Sequence, residues 1–317
     1  MEPSYSWLDQ IALNSSIPLP KVAPRLIIGI TMALSPTPQA LLFDVFGTCV
    51  NWRKSIVSAL CDKAHESLNA ATASLASQLR LRASAMTEED WGRFAQEWRD
   101  SYKVFTKKLA ADHSSTWMTV DDHHLKSLKE LIAKWQLQGL WEEHEIRALS
   151  LCWHHLVPWD DSVLGVQLLN QLFATCTLSN GNMSLLSDLR AFTAIPFTRL
   201  FSSEMFGTYK PSPEVYLGAV KALDVAPAEC VMVAAHLNDL KAAKENGLQT
   251  IYVERAGEED WDREEIEKAR TAGWVDMWVG LGNGNRGFIT VAEKLGIAVT
   301  KGNEATRLSS SLPIGMD

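Results

Sequence analysis

From about residue 157 onward, short continuous apolar runs alternate with longer segments in which apolar residues return every three or four positions. A run of four or five apolar residues bounded by polar ones is the pattern of a strand buried on both faces of a parallel sheet. Such runs predict strands over 174–178, 230–234, 250–253 and 275–279, a short one near Leu200, and an earlier one at Leu41-Leu42-Phe43. The intervening segments predict helices over 163–173, 183–192, 213–223, 237–246 and 289–295. Strand and helix in alternation make βαβ units, and hence an α/β fold with a parallel sheet covered by helices on both faces.

Between the first strand and residue 157 the pattern changes. Residues 53–155 hold two glycines, Gly92 and Gly139, and no proline, and their apolar positions keep helical spacing (Trp91, Phe94, Trp98, Tyr102, Phe105; then Leu125, Leu128, Leu131, Ile132, Trp135). This is a series of amphipathic helices inserted after the first strand, long enough for a bundle. Domain boundaries follow: an N-terminal arm over 1–38, a core built from 39–52 and 157–297, a helical cap over 53–156, and a tail over 298–317 that is expected to be disordered. Prolines at 3, 18, 20, 24, 36 and 38 exclude a continuous helix or interior strand from the arm. The same featureless arm makes Met32 a candidate translation start. The mixed-charge run 258–270 is read as a solvated helix or loop.

Composition narrows the partners. A net charge of -8 and a pI near 5.5 argue against nucleic acid and against an anionic membrane surface. The partner expected is a small-molecule substrate, with a homodimer allowed. Cys49, Cys61, Cys152, Cys176 and Cys230 are widely spaced with no C-x-x-C pair, which fits reduced thiols and a cytoplasmic location. The apolar run 26–34 is interrupted by Gly29 and Thr31 and is about half of a membrane span. Seven of the twelve tryptophans lie between Trp91 and Trp159, so cap packing is their first use, with one or two left for a pocket wall. The pairs His123-His124 and His154-His155 carry no ligand spacing, since neighbours on a helix point apart, and are read as solvated or capping histidines.

Polar residues at the predicted strand ends supply the chemistry. Asp44 follows the first strand, Ser179-Asn180 the second, Lys210 lies in Gly207-Thr208-Tyr209-Lys210-Pro211, and Asp239 opens the helix after Ala234-Ala235-His236. Ligands of open α/β sheets bind outside the carboxyl ends of the strands, so these residues converge on one edge. Asp44 is the candidate nucleophile.

Phe43-Asp44-Val45-Phe46-Gly47-Thr48, Leu178-Ser179-Asn180-Gly181, Tyr209-Lys210-Pro211 and the segment Asp239 to Gly247, in that order, resemble the haloacid dehalogenase superfamily over roughly residues 40–296, and within it the 2-haloacid dehalogenase branch. The resemblance implies a Rossmann-like three-layer core with a nucleophilic aspartate beneath a mobile cap. Phosphatases of that superfamily carry a second aspartate where this chain has Phe46 and an acidic metal ligand where it has Ala235. Phe46 donates no proton and Ala235 binds no metal, so no metal and no organic cofactor are expected. A carboxylate about 4 Å from a phosphate dianion is repelled by roughly 8 kcal/mol at an effective dielectric of 20, against roughly 3 kcal/mol for a haloacid carboxylate about 6 Å away. One cation balances the second and not the first.

The resemblance then implies the roles. Asp44 attacks the carbon bearing the halogen and forms an ester that water hydrolyses. Lys210 keeps Asp44 ionised, Asp239 holds Lys210, and Ser179, Asn180 and Thr48 hydrogen-bond Asp44 or the substrate carboxylate, with a helix cap as the lesser alternative for Ser179. Arg99, preceded by Trp98, matches the halide-binding arginine of a cap helix, although Arg53 and Arg93 are near and a solvated arginine has the same spacing. Phe46, Tyr216 and Trp98 shape the pocket, with core packing as the alternative for Tyr216. His236 stands where some dehalogenases have asparagine; it either activates the hydrolytic water or is hydrogen-bonded beside the site. A larger biosynthetic acid or ester as substrate, and a catalytically silent binding or regulatory protein, are the competing functions. A magnesium-dependent phosphatase ranks after them.

Overall fold

A computed structural model of the chain describes residues 34–70, 75–112, 114, 116–282 and 284–299. Most of the arm, the Met32 start and nearly all of the tail lie outside the described residues. At the described end of the arm the Pro36 carbonyl accepts from Gln249 Nε2 at 2.8 Å.

Five strands, β1 (Ala40–Phe43), β2 (Ala174–Thr177), β3 (Cys230–Ala234), β4 (Gln249–Val253) and β5 (Met277–Val279), form one parallel sheet in the order β2-β1-β3-β4-β5. Phe43 pairs with Thr177 on one side and Val233 on the other, so the carboxyl ends of β1, β2 and β3 are level. The chain leaves β1 toward β2 and later returns to its opposite side with β3. That reversal puts the topological switch point, where the crevice of such sheets opens, at the end of β1.

Alternate β1 side chains serve the two faces, as a strand requires. Leu41 and Phe43 pack with Val231, Val233 and Phe288, whereas Ala40 and Leu42 pack with Met232, Tyr216 and Leu240. Helices α6 (Ser162–Leu169) and α11 (Phe288–Lys294) cover the first face, and α8 (Pro213–Leu223) and α9 (Leu237–Glu245) the second. The remaining core helices are α7 (Met183–Thr193) and α10 (Arg263–Ala272).

All five helices between β1 and α6 fall in the inserted segment: α1 (Trp52–Asn69), α2 (Ser77–Ala85), α3 (Glu88–Ala111), α4 (Val120–Lys134) and α5 (Glu143–Ser150). Thr87 starts the longest of them, α3, with a reciprocal capping box to Asp90 that satisfies two otherwise unbonded amides. Cap residues Trp91, Trp98 and Trp153 share one apolar cluster with Phe43 and Phe46 of the core. No helix among the described residues is long and apolar enough to cross a membrane.

Three expectations change. Residues near Leu200 form only isolated bridges to β2 and its extension, at Arg199 and Ser202, with the Phe201 amide shared between the Thr177 carbonyl at 3.2 Å and the Thr177 hydroxyl at 2.9 Å. His124 is fully buried and stacked on Trp153, and His154 is buried between Asp121 and Asp188, so neither is solvated. The charged run is split: 263–272 is a helix, but Glu258 is buried, held by the indole of Trp52. All five cysteines are free thiols, three of them buried.

Candidate active site

Asp44 is the first residue beyond β1, and its amide donates to the Val233 carbonyl at 3.0 Å, which continues the strand pairing by one bond. Its carboxylate is 9 % exposed. Lys210 Nζ lies 2.9 Å from Oδ1, the Thr48 hydroxyl donates to Oδ2 at 2.8 Å, and His236 Nδ1 stands 3.3 Å from Oδ2. Burial alone raises a carboxylate pKa, but the Lys210 charge and the His236 contact outweigh it and hold Asp44 well below the usual carboxylate range. Asp44 is therefore held as an anion, the form a carboxylate nucleophile needs.

Lys210 reaches Asp44 because its backbone is fixed by Asn180, whose Oδ1 accepts from the Lys210 amide at 2.8 Å and from the Ser203 hydroxyl at 2.7 Å. The ammonium also contacts Asp239 Oδ2 at 2.6 Å, and the Tyr216 hydroxyl donates to Asp239 Oδ1 at 2.6 Å. Burial works against the Lys210 charge, yet Asp239 and Asp44 together push its pKa above the ordinary value. Asp239 itself moves the other way from Asp44: burial raises it more than Lys210 lowers it. Thr48 is held in turn, since its hydroxyl accepts from the Ala235 amide at 2.9 Å and its carbonyl from Arg255 Nε at 3.0 Å.

The cap contributes one face of α3. Arg99, Tyr102, Lys103, Thr106 and Lys107, at helical spacing, look into a cavity of about 390 Å³ that also holds Asp44, Asn180, Lys210, Tyr216, His236 and Asp239. The Arg99 guanidinium is 5 % exposed and sits 4.7 Å from the Tyr102 ring, 5.5 Å from Phe46 and 5.7 Å from Trp52. One nitrogen approaches the Phe46 carbonyl at 3.5 Å, while Nε and Nη1 are buried with no hydrogen-bond partner. A buried cation with idle donors costs several kcal/mol. An aromatic box with such a cation is suited to a small polarisable anion arriving from the cavity.

Asp44, Thr48, Asn180, Lys210, Tyr216, His236, Asp239 and Arg99 are thus brought together, with Phe46 forming the floor beneath Arg99. Two expected residues are not. Trp98 is fully buried away from the cavity, donating to the His124 carbonyl and the Ser127 hydroxyl at 3.2 and 3.0 Å. Neighbours on a helix diverge by about 100°, so once Arg99 faces Asp44, Trp98 faces α4. The Ser179 hydroxyl accepts from the Gly181 amide at 3.1 Å and shapes the turn; it neither meets Asp44 nor caps α7, whose cap position is Asn182. Asn180 likewise positions Lys210 rather than touching Asp44.

The residues do not fit a magnesium ion. Positions 46 and 235 carry no side-chain oxygen, the Lys210 ammonium lies between the carboxylates of Asp44 and Asp239, and the described residues contain no group of three His, Cys, Asp or Glu side chains placed to hold a metal. Residues missed from the sequence are Glu258, Tyr102, Lys103 and the buried pair of Arg255 with Asp161. Position relative to β4 was the usable signal for the first: Glu258 follows the end of that strand by five residues, at the same sheet edge.

A chain of this geometry has relatives. It is 27 % identical over 226 residues, covering 68 % of this chain and 85 % of the other, to (S)-2-haloacid dehalogenase 1 of Pseudomonas sp. (strain CBS-3). Among solved structures it is similar to the defluorinating L-2-haloacid dehalogenase Rha0230, with a TM-score of 0.66 at 26 % identity over 83 % of this chain and 97 % of that one. It is also similar to the L-2-haloacid dehalogenase PA0810, with a TM-score of 0.65 at 29 % identity over 81 % of this chain and 99 % of that one. The family model for haloacid dehalogenase-like hydrolases matches residues 38–247, from the start of the sheet through α9, and with Asp44, Lys210 and Asp239 all inside that span the chain belongs to the haloacid dehalogenase-like hydrolases.

Proposed function

We propose that this hydrolase is a metal-independent 2-haloacid dehalogenase, which converts a small 2-haloalkanoic acid to the 2-hydroxy acid through an ester on Asp44. Arg99 carries this reading: a buried guanidinium with two idle donors, in an aromatic box above an ionised aspartate, is an acceptor for a departing halide. Asp44 attacks the carbon from the side opposite the halogen, and the carbon–halogen electron pair leaves with the halide toward Arg99. Configuration at carbon inverts. Water then adds to the ester carbonyl and returns Asp44. The kinship with the (S)-specific enzyme of Pseudomonas supports the (S) substrate.

One observation favours a second substrate class on the same chemistry. The cavity of about 390 Å³ continues outward past Lys103, Thr106 and Lys107, beyond the needs of a three-carbon acid, which suits a longer acid with a second polar end.

The test is to incubate wild type and Asp44→Asn with each enantiomer of 2-chloropropionate, and separately with a phosphomonoester plus magnesium, following chloride and phosphate. Chloride release from the (S) enantiomer without metal, lost in Asp44→Asn, is expected. Phosphate release with no chloride would overturn the proposal.

A further inference from the structure

Glu258, in the loop between β4 and α10, is a carboxylate only 5 % exposed that the steps above leave idle. Its Oε2 accepts from Trp52 Nε1 at 2.9 Å and lies 3.5 Å from His236 Nε2, an ion-pair distance outside good hydrogen-bond geometry. On the other side of the ring, Nδ1 is 3.3 Å from Asp44 Oδ2. The imidazole therefore stands between two carboxylates. Gly47 makes the arrangement feasible: its φ is +84°, and a Cβ there would fall 2.0 Å from Glu258 Oε2 and 3.1 Å from His236 Cε1.

The contacts distinguish the two oxygens of Asp44. Oδ2 meets both the Thr48 hydroxyl and His236 Nδ1, whereas Oδ1 meets only Lys210. Each carboxylate oxygen has two in-plane lone pairs, so Oδ1 retains a free one. Oδ1 is then the oxygen that bonds to carbon, and Oδ2 becomes the carbonyl oxygen of the ester.

Building on the dehalogenase reading, we propose that His236 and Glu258 serve ester hydrolysis: protonated His236, with the Thr48 hydroxyl, holds the negative charge that develops on Oδ2, and Glu258 is the positioning residue that keeps the imidazole protonated once Asp44 has given up its own charge to the ester. Water oxygen bonds to Cγ as the carbonyl π pair moves to Oδ2. The returning pair breaks the Cγ–Oδ1 bond, and Oδ1 departs with the substrate carbon, taking one water proton to become the product hydroxyl. The second water proton remains on the restored acid and passes to solvent, because Lys210 and His236 favour the carboxylate.

The charged groups facing His236 are Asp44 from the end of β1, Glu258 and Glu259 from the loop after β4, and Arg99 from α3, with Lys210 across Asp44. Burial lowers the imidazole pKa, but Asp44 and Glu258 push it up to about 9. Esterification removes the first of these two supports and leaves the second. An imidazolium so placed is a donor and has no lone pair with which to act as a base.

Single-turnover measurements on Glu258→Gln, Trp52→Phe and His236→Asn test this, with chloride release and the intact mass of the Asp44 adduct followed from pH 6 to 9.5 using (S)-2-chloropropionate. In Glu258→Gln, chloride should appear in a burst of one equivalent while the adduct accumulates. Adduct hydrolysis should fall with rising pH at a midpoint at least about one unit below wild type. Trp52→Phe, which keeps the packing and removes the indole donor, should shift the midpoint less in the same direction, and it carries the test if Glu258→Gln does not fold. His236→Asn should slow adduct hydrolysis about a hundredfold or more. Unchanged adduct lifetime and pH profile in the Glu258 and Trp52 variants would overturn the inference, as would hydrolysis that accelerates with pH and is faster in Glu258→Gln at neutral pH, the signature of a neutral imidazole base. Absence of any chloride release in wild type would instead defeat the dehalogenase reading beneath it.

Discussion

The two walls of the cavity treat their buried polar groups in opposite ways. On the sheet edge the carboxylates and the amide are partnered, Asp44 by Lys210, Thr48 and His236, Asp239 by Lys210 and Tyr216, and Asn180 by the Lys210 amide and Ser203, while His236 Nε2 has only the ion-pair contact to Glu258. On the cap side Arg99 Nε and Nη1, both ring nitrogens of His124 and the Trp153 indole nitrogen are buried without partners. The sheet edge fixes the charge of Asp44 before any ligand arrives. The cap wall leaves donors idle, and under the proposed function what completes it at Arg99 is an anion that exists only after the carbon–halogen bond has broken. Catalysis gains from interactions stronger in the transition state than in the ground state, and idle donors around a departing halide are of that kind.

Opposite stability effects on the two walls provide the strongest test. Lys210→Met strands two buried carboxylates and should destabilise the fold by about 3–5 kcal/mol as well as abolish activity. Arg99→Met removes a poorly paired charge, so it should lower kcat about 10²–10³-fold while leaving stability unchanged or raising it by roughly 1–4 kcal/mol. Denaturant unfolding beside steady-state kinetics reads both, and a loss of stability in Arg99→Met equal to that in Lys210→Met would erase the distinction between the walls.

A smaller effect appears in the pH dependence of stability. His236 has a folded pKa of about 9 against an ordinary 6.5, so its contribution is complete below pH 6.5 and is lost as pH rises through 9. The melting temperature should therefore fall by roughly 5 °C between pH 6.5 and 9.5, and His236→Asn should flatten that slope. A wild-type profile that is level over this window would show that the imidazole gains nothing from its two carboxylates.

The sheet edge was legible in the sequence and the cap wall much less so, for physical reasons. Asp44, Lys210 and Asp239 each sit at a strand end or helix start, where local pattern alone fixes the direction of the side chain, and the parallel sheet brings such ends together. Strand and helix positions were read to within a few residues for the same reason, the exception being the segment near Leu200, where the pairing to β2 stays at isolated bridges and the Phe201 amide is shared between the Thr177 carbonyl and hydroxyl. On the cap, the face a helix turns to the site depends on tertiary packing, so the spacing that flagged Trp98 and Arg99 together did not say that only one of them would reach the cavity. Glu258 was hidden by its neighbours. A mixed-charge run ordinarily signals solvent, and nothing local announces that this one carboxylate is bonded to Trp52, 206 positions earlier in the chain. His124 and His154 were misread alike, because burial of a lone histidine is decided by what packs over it.

In the proposed reaction an oxygen of Asp44, and not water, makes the new bond to carbon. A single turnover of excess enzyme with a 2-haloacid in H2(18)O, followed by mass analysis of the Asp44 peptide and of the product, distinguishes the two. Heavy oxygen is expected in the Asp44 carboxylate and none in the 2-hydroxy acid. Heavy oxygen in the product with an unlabelled Asp44 would contradict it.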